Sequence, residues 1–227
     1  DPVPIADVDP DTAAVMMFTS GTAGPPRAAV LSHASLLANL EQTAANRDRV
    51  VADDVVFGVL PLFHIYGLNV VLGSALRAGA TVLLVQRFDP ATAVQSIVQR
   101  GVSVVPGAPP MWVAFASFDD LPADSFASVR LALSGAARLS PRVADRMAEQ
   151  FGLQVYEGYG LTEAGPVVTS STGFDRRPGS VGKVLDGQQV RLVDVDGTDA
   201  VDVDAGEIWV KGPNVFSGYF GDPEATE

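Results

Sequence analysis

The chain has 227 residues, 47% of them apolar, and a formal net charge of -12: enough to bury a sizeable core, and acidic enough to repel nucleic acid and anionic membrane surfaces. Cysteine is absent, which excludes disulfides, thiolate metal sites and a cysteine nucleophile. No basic-then-apolar leader opens it, so a cytoplasmic protein without an integral membrane segment is expected.

In chain order, "AVMMF" reads as a strand entering "TSGTAGPP" and "AAVL" as a strand leaving it. This gives a glycine-rich hairpin rather than a Walker loop, because Gly21 and Gly24 stand only three apart. Ser32 is placed to cap a helix with Leu36, Leu37, Leu40 and Ala44 on one side. The apolar run Ile65 to Val85 is long enough to cross a bilayer, but Arg77 and Gly79 form a helix ending and "ATVLLV" then reads as a buried strand. Short apolar runs at "VVFGVL", "TVLLV", "VSVVP", "VRLALS" and "LQVYE" alternate with helical segments. Asp89-Pro90 and Ser140-Pro141 start two of those helices, and Gly101 and Gly152 close them.

This alternation predicts an α/β fold: a mostly parallel sheet flanked by helices on both faces, over residues 1–178. "VRLVDVDG" and "GEIWVKG" then predict a smaller all-β, barrel-like piece over 179–227. Its aspartates, Asp194 to Asp204, miss the calcium-loop spacing and read as a solvated hairpin turn.

Ligands of an open parallel sheet bind beyond the carboxyl ends of its strands. There the sequence places "PLFHIYG", "GAPPMW", "GAAR" and "GYGLTE", which combine glycines, aromatics and the Thr162–Glu163 pair. Such loops suit a flat ring, an apolar group and a metal.

The series "FTSGTAGPPR", "PLFHIYG", "SGAA", "YGLTE", "GSVGK" and "GEIWVKGPNVFSGYFGDPEAT" resembles, in order and separation, the core motifs of the adenylate-forming superfamily, from about Ala13 to the end. The resemblance implies ATP-dependent activation of a carboxylic acid to acyl-AMP, then transfer of the acyl group to a thiol. Thr19, Ser20, Gly21, Thr22, Ala23, Gly24 and Arg27 would then face the β- and γ-phosphates. Glu163 would hold magnesium (Mg2+), and Thr162 would bond a phosphate oxygen. Ser134, Gly135, Ala136 and Ala137, with Glu157, Gly158, Tyr159 and Gly160, would border the nucleotide, Tyr159 stacking on adenine. His64 would meet the entering acid, and Tyr66, Gly107 and Trp112 would wall the acyl pocket, although Trp112 also reads as a core residue.

His64 stands where amino-acid-activating members commonly carry aspartate, so the resemblance implies an acid without an α-amino group, a fatty acid first. Coenzyme A is the implied acceptor, since the link from Glu163 to Gly179 lacks the insertion of many carrier-protein-loading ligases. Such a ligase, a luciferase-like oxygenase and a nucleotide-binding module that has lost catalysis are the rival readings. The motifs of the family's first third, its ribose-binding aspartate and its C-terminal lysine domain are not found in these residues. An internal portion of the large N-terminal domain, inactive by itself, is therefore expected. The family usually has Ser or Thr at Ala23 and Lys-Gly at Arg27-Ala28. A lost hydroxyl bond to a charged phosphate costs about 1.5–3 kcal/mol, and arginine presents a planar fork instead of a compact ammonium. Ala23→Thr is expected to tighten ATP binding in calorimetric titration; an unchanged Kd contradicts that reading.

Overall fold

A computed structural model describes residues 3–19, 25–118, 120–175, 177–194, 196–200 and 205–227. The chain opens with β1 (Ala13–Thr19) and β2 (Arg27–Ser32), an antiparallel pair whose last rung sets Thr19 opposite Arg27. The expected hairpin is therefore present at its base. Ser20, Gly21, Thr22, Ala23 and Gly24 lie outside the described residues. The Ser32 hydroxyl accepts from the Ser35 amide, 3.1 Å, and starts α1 (His33–Ala44), as N-capping chemistry predicts.

The inward face of α1 differs from expectation. Leu37 is 56% exposed, whereas Ser35, Asn39 and Gln42 are buried beside Leu40. The reason is that this face meets a loop whose backbone needs hydrogen-bond partners, which leucines cannot supply.

Five strands build the parallel part of a seven-stranded sheet: β3 (Val55–Gly58), β4 (Thr81–Leu84), β5 (Val104–Gly107), β6 (Leu131–Ser134) and β7 (Val155–Gly160). Their order is β4-β3-β5-β6-β7. Successive strand residues point to opposite faces, and apolar neighbours divide accordingly. Phe57, Val105 and Ala132 pack on one face against α3 (Pro90–Arg100), α4 (Pro109–Ala116) and α5 (Pro141–Phe151). Val56, Val104 and Leu131 pack on the other against Val71 and Ala75. That two-sided burial is why these strands read as unbroken apolar runs. Phe115, Phe126 and Phe151 continue the first core as edge-to-face pairs with centroids 5.2 and 4.9 Å apart, a favoured aromatic geometry.

The 65–85 run forms a π-helical segment, Tyr66–Gly73, that continues into α2 (Ser74–Ala78), with Gly79 left-handed at φ 71° before β4. No helix among the described residues is long and apolar enough to cross a membrane. Asp89 caps α3 through the Thr92 amide, and Gly101 and Gly152 close α3 and α5 with positive φ. Ser140 precedes α5 without a side-chain cap bond; its carbonyl accepts from the Val143 and Ala144 amides instead.

β8 (Val167–Ser170) and β9 (Lys183–Val184) extend the sheet antiparallel beyond β7. β10 (Gln189–Val193) and β11 (Glu207–Lys211) form their own antiparallel pair, whose acidic connection includes a Thr198 amide bond to Asp196. β12 (Gly218–Tyr219), followed by α6 (Pro223–Thr226), returns to pair with β2. The boundary expected at residue 179 thus does not isolate the tail. β9 belongs to the large sheet and β12 to the β1–β2 ribbon, since each supplies an edge that the earlier strands leave open.

Asp54, 3% exposed, pins the entry to β3. Its carboxylate accepts from the Val51 amide, the Ser103 hydroxyl and the Arg130 guanidinium, each at 2.8 Å. Burial alone would raise its pKa; the bonds from Arg130, Val51 and Ser103 outweigh burial and hold it below the usual aspartate value. A depressed folded pKa stabilises the protein above the unfolded value, about pH 4, and that contribution fades as pH falls through the folded value. Asp54→Asn is expected to cost about 2 kcal/mol at pH 7, the partly exposed Arg130 moderating the loss, and less near pH 3. Urea melts at the two pH values check it.

Candidate active site

Two backbone approaches shape the site. A Cβ on Gly67 would sit 2.2 Å from the Pro61 carbonyl oxygen, so only glycine lets the π-helical segment start against the 60–64 loop. A Cβ on Gly135 would sit 3.0 Å from the Tyr66 ring, so Tyr66 lies against the loop after β6. Its phenol is pushed above the ordinary tyrosine value by burial, the Gly107 backbone opposing, and it stays protonated at any physiological pH. π-helical segments gather at functional sites.

The ends of β6 and β7 with the turns that follow them, β5 itself, the end of α1 with residues 46–50, and this segment line a cavity of about 250 Å³. His64, Tyr66, Ser134, Gly135, Ala136, Glu157, Gly158, Tyr159, Gly160 and Thr162 all line it. The buried Ser134 hydroxyl has no hydrogen-bond partner, an unmet need that a ligand can fill. Ala136 is the non-glycine residue with positive φ, 68°, among those described, and local strain of this kind gathers at ligand-binding loops. His64 Nδ1 accepts from the Tyr66 amide, 3.1 Å, which leaves Nε2 as the donor in a neutral imidazole. Glu157 accepts from the Leu139 amide, 3.1 Å, and so braces the loop after β6.

Val70, Val104, Leu131, Leu133 and Val167 add aliphatic walls, and Asp48, Arg49 and Arg77 add charged ones. Trp112 does not line the cavity: it is 0% exposed, its indole N–H donates to the Leu133 carbonyl, and it packs on Phe115. Gly107 lies between Trp112 and Tyr66, contributing its backbone rather than a wall. Ala137 is exposed beyond the lining.

Glu163 stands just outside the cavity, in a turn held by buried side-chain amides. Asn39 donates to the Val167 carbonyl, 2.8 Å, and accepts from its amide, 3.0 Å. Asn69 donates to Gly165 O and Asn214 to Ala164 O, each at 2.7 Å. Gln42 and Gln188 complete the network with Asn214 and Val167. The Glu163 carboxylate accepts from the Tyr219 hydroxyl, 2.6 Å. Arg27, expected to face phosphate, bonds Asp222 at 3.1 Å and lies over the Tyr219 ring. Thus the hairpin base and Glu163 meet through Tyr219. Sequence reading missed the amide network, Tyr219 and Asp222; Arg27 and Asp222 are 195 residues apart, beyond any local pattern. Pro166 and Val167, directly after "YGLTEAG", were the one local signal left unused.

Among the described residues no three His, Asp or Glu side chains cluster to hold a metal alone. A lone carboxylate such as Glu163 could hold magnesium only together with phosphate oxygens, since that ion is commonly bound by one or two carboxylates completed by phosphate.

The family described as AMP-binding enzyme matches residues 1–220. A 4-coumarate–CoA ligase of Oryza sativa subsp. japonica is 36% identical over 232 residues, covering 98% of this chain and 42% of that protein. One of Pinus taeda is also 36% identical, with 98% and 43% covered. Among solved structures, apo MatB from Rhodopseudomonas palustris superposes with a TM-score of 0.92 at 32% identity, over 99% of this chain and 44% of that one. A malonyl-CoA ligase complex with methylmalonyl-CoA and AMP gives 0.90 at 35% identity, over 100% and 49%. The chain spans less than half the length of these relatives. Ser134→Ala is expected to weaken AMP binding about fivefold, one net hydrogen bond of roughly 1 kcal/mol, without lowering the melting temperature, since the hydroxyl bonds nothing in the protein. Calorimetry and thermal melts together check this.

Proposed function

The chain belongs to the AMP-binding enzyme family, and from that premise we propose that the protein activates a carboxylic acid with ATP and passes the acyl group to coenzyme A. The observation that carries the proposal is the convergence on one cavity of His64, the Ser134–Ala136 turn at the end of β6 and the Glu157–Thr162 stretch at the end of β7, with Glu163 bonded at its edge to Tyr219, which pairs with β2.

In the first step a carboxylate oxygen attacks the α-phosphorus, forming the acyl-phosphate bond and expelling pyrophosphate. In the second, the thiolate of coenzyme A attacks the acyl carbonyl and AMP leaves. The free Ser134 hydroxyl and the strained Ala136 backbone would hold the nucleotide, and Tyr159 would offer its ring to the base. Thr162 and Thr19 would donate to phosphate oxygens. Magnesium, when bound at Glu163, supplies the positive charge that the departing pyrophosphate requires. His64 Nε2 would meet the acid at the cavity mouth.

The aliphatic part of the lining, Val70, Val104, Leu131, Leu133 and Val167, favours an acid with an apolar tail, a fatty acid before a short dicarboxylate. Two cations also line the cavity: Arg77 is bound to Glu41, and Arg49 stands in the lining together with Asp48. An aryl acid of the kind named for the plant relatives suits the same walls. Fatty acyl-AMP formation with delivery to a carrier protein shares the first step. A binder without catalysis is the second reading, favoured by Arg27 being committed to Asp222.

Acid-dependent exchange of labelled pyrophosphate into ATP, run on the protein as expressed from its own gene over acids of graded chain length, tests the proposal. Exchange is expected with apolar acids and at least tenfold less with malonate. No exchange with any acid, alongside intact AMP binding, leaves the binder. Transfer to coenzyme A is then read as thioester formation.

A further inference from the structure

Residues 216–220 form a strap between Glu163 and the hairpin. The Phe216 amide donates to the Glu163 carbonyl, 2.8 Å, fixing the main chain of the acidic residue. Ser217 and Phe220 donate to the Val30 and Ala28 carbonyls of β2, and Tyr219 pairs with Ala29 between them. From that rung the Tyr219 hydroxyl reaches Glu163 Oε1 at 2.6 Å, a charge-assisted bond of the strong class. The ring is held on two sides. Phe216 packs edge-on at 4.9 Å, and the Arg27 guanidinium lies 5.6 Å from the centroid, fixed by Asp222. Asp222 itself is anchored as the cap of α6 through the Ala225 amide, 3.1 Å. Oε1 is thereby occupied, and Oε2 has no hydrogen bond among the described residues.

We infer that Tyr219 is a positioning residue for the metal carboxylate: it fixes one oxygen of Glu163 so that the other is presented in a single orientation toward the nucleotide's metal. The inference rests on the assignment of Glu163 proposed above. A carboxylate without this restraint would lose rotamer freedom on each binding event, so the hydroxyl raises metal affinity without touching the metal. Because the strap runs on β2, the same rung sets the distance between Glu163 and Arg27.

The test uses the protein as expressed from its own gene, a non-hydrolysable ATP analogue, and manganese(II) as a paramagnetic stand-in for magnesium, free ion being read by electron paramagnetic resonance. Tyr219→Phe keeps the ring, its Phe216 contact and the seat of Arg27, and removes only the hydroxyl. It is expected to weaken manganese binding about threefold to tenfold, while analogue binding in EDTA stays unchanged. In a Glu163→Gln background the same substitution is expected to add nothing, because coupled residues are non-additive. If Glu163→Gln weakens manganese binding and Tyr219→Phe does not, the inference falls while the metal assignment stands. Equal weakening by Tyr219→Phe in both backgrounds, or an equal loss in EDTA, assigns the tyrosine to general packing and overturns it. Should Glu163→Gln leave manganese affinity untouched, the metal assignment itself fails and the inference with it.

Discussion

The placement of Glu163 depends on satisfying the backbone of one buried turn, residues 164–167. Three consecutive positions, Ala164 to Pro166, are buried, and their polar groups are outside any strand ladder. Leaving such groups unpaired in a protein interior costs about 1–3 kcal/mol each. Side-chain amides from three separate regions meet the need: Asn39 and Gln42 on α1, Asn69 on the π-helical segment, and Gln188 and Asn214 from the tail. Each amide offers donors and an acceptor together, so one residue can bond two partners and fix an orientation. The turn that carries Glu163 is thus held from three sides, and the same network fastens the tail to α1.

This arrangement explains why the tail does not stand apart. Asn214 is fully buried under its bond to Ala164, and the strap that follows it meets Glu163 and then β2. Removing the tail would expose the polar network and open the hairpin's flank together. The large sheet supplies a rigid floor through its two apolar cores, while polar contacts at its carboxyl edge set the positions of the loops. Such a division suits chemistry, because a packed floor resists deformation and hydrogen bonds impose direction.

Charge poses a second constraint. A chain with net charge -12 repels a triphosphate at long range. At the proposed phosphate end the acidic groups, Glu163 and Asp222, face one described cation, Arg27, already paired. Backbone amides, hydroxyls and a metal arriving with the nucleotide would have to supply the attraction. The cavity is lined differently, with aliphatic Val70, Val104, Leu131, Leu133 and Val167 set among polar and charged residues that include Asp48, Arg49 and Arg77.

The sequence by itself determined the fold class, the order of strands and helices, the caps at Ser32 and Asp89 and the glycines that end helices, because each rests on interactions a few residues long. Of the four loops it placed at the sheet's carboxyl edge, those holding His64, Gly135 and Thr162 line the cavity and the one holding Trp112 does not. Tertiary structure decided the rest. It turned polar residues of α1 inward to serve a distant turn, withdrew Trp112 into the core, joined β9 and β12 to earlier sheets, and brought Tyr219 to Glu163 and Asp222 to Arg27. Those pairings span tens to nearly two hundred residues and are chosen by which buried groups lack a partner. No local pattern encodes that; it exists only once the backbone has closed around it.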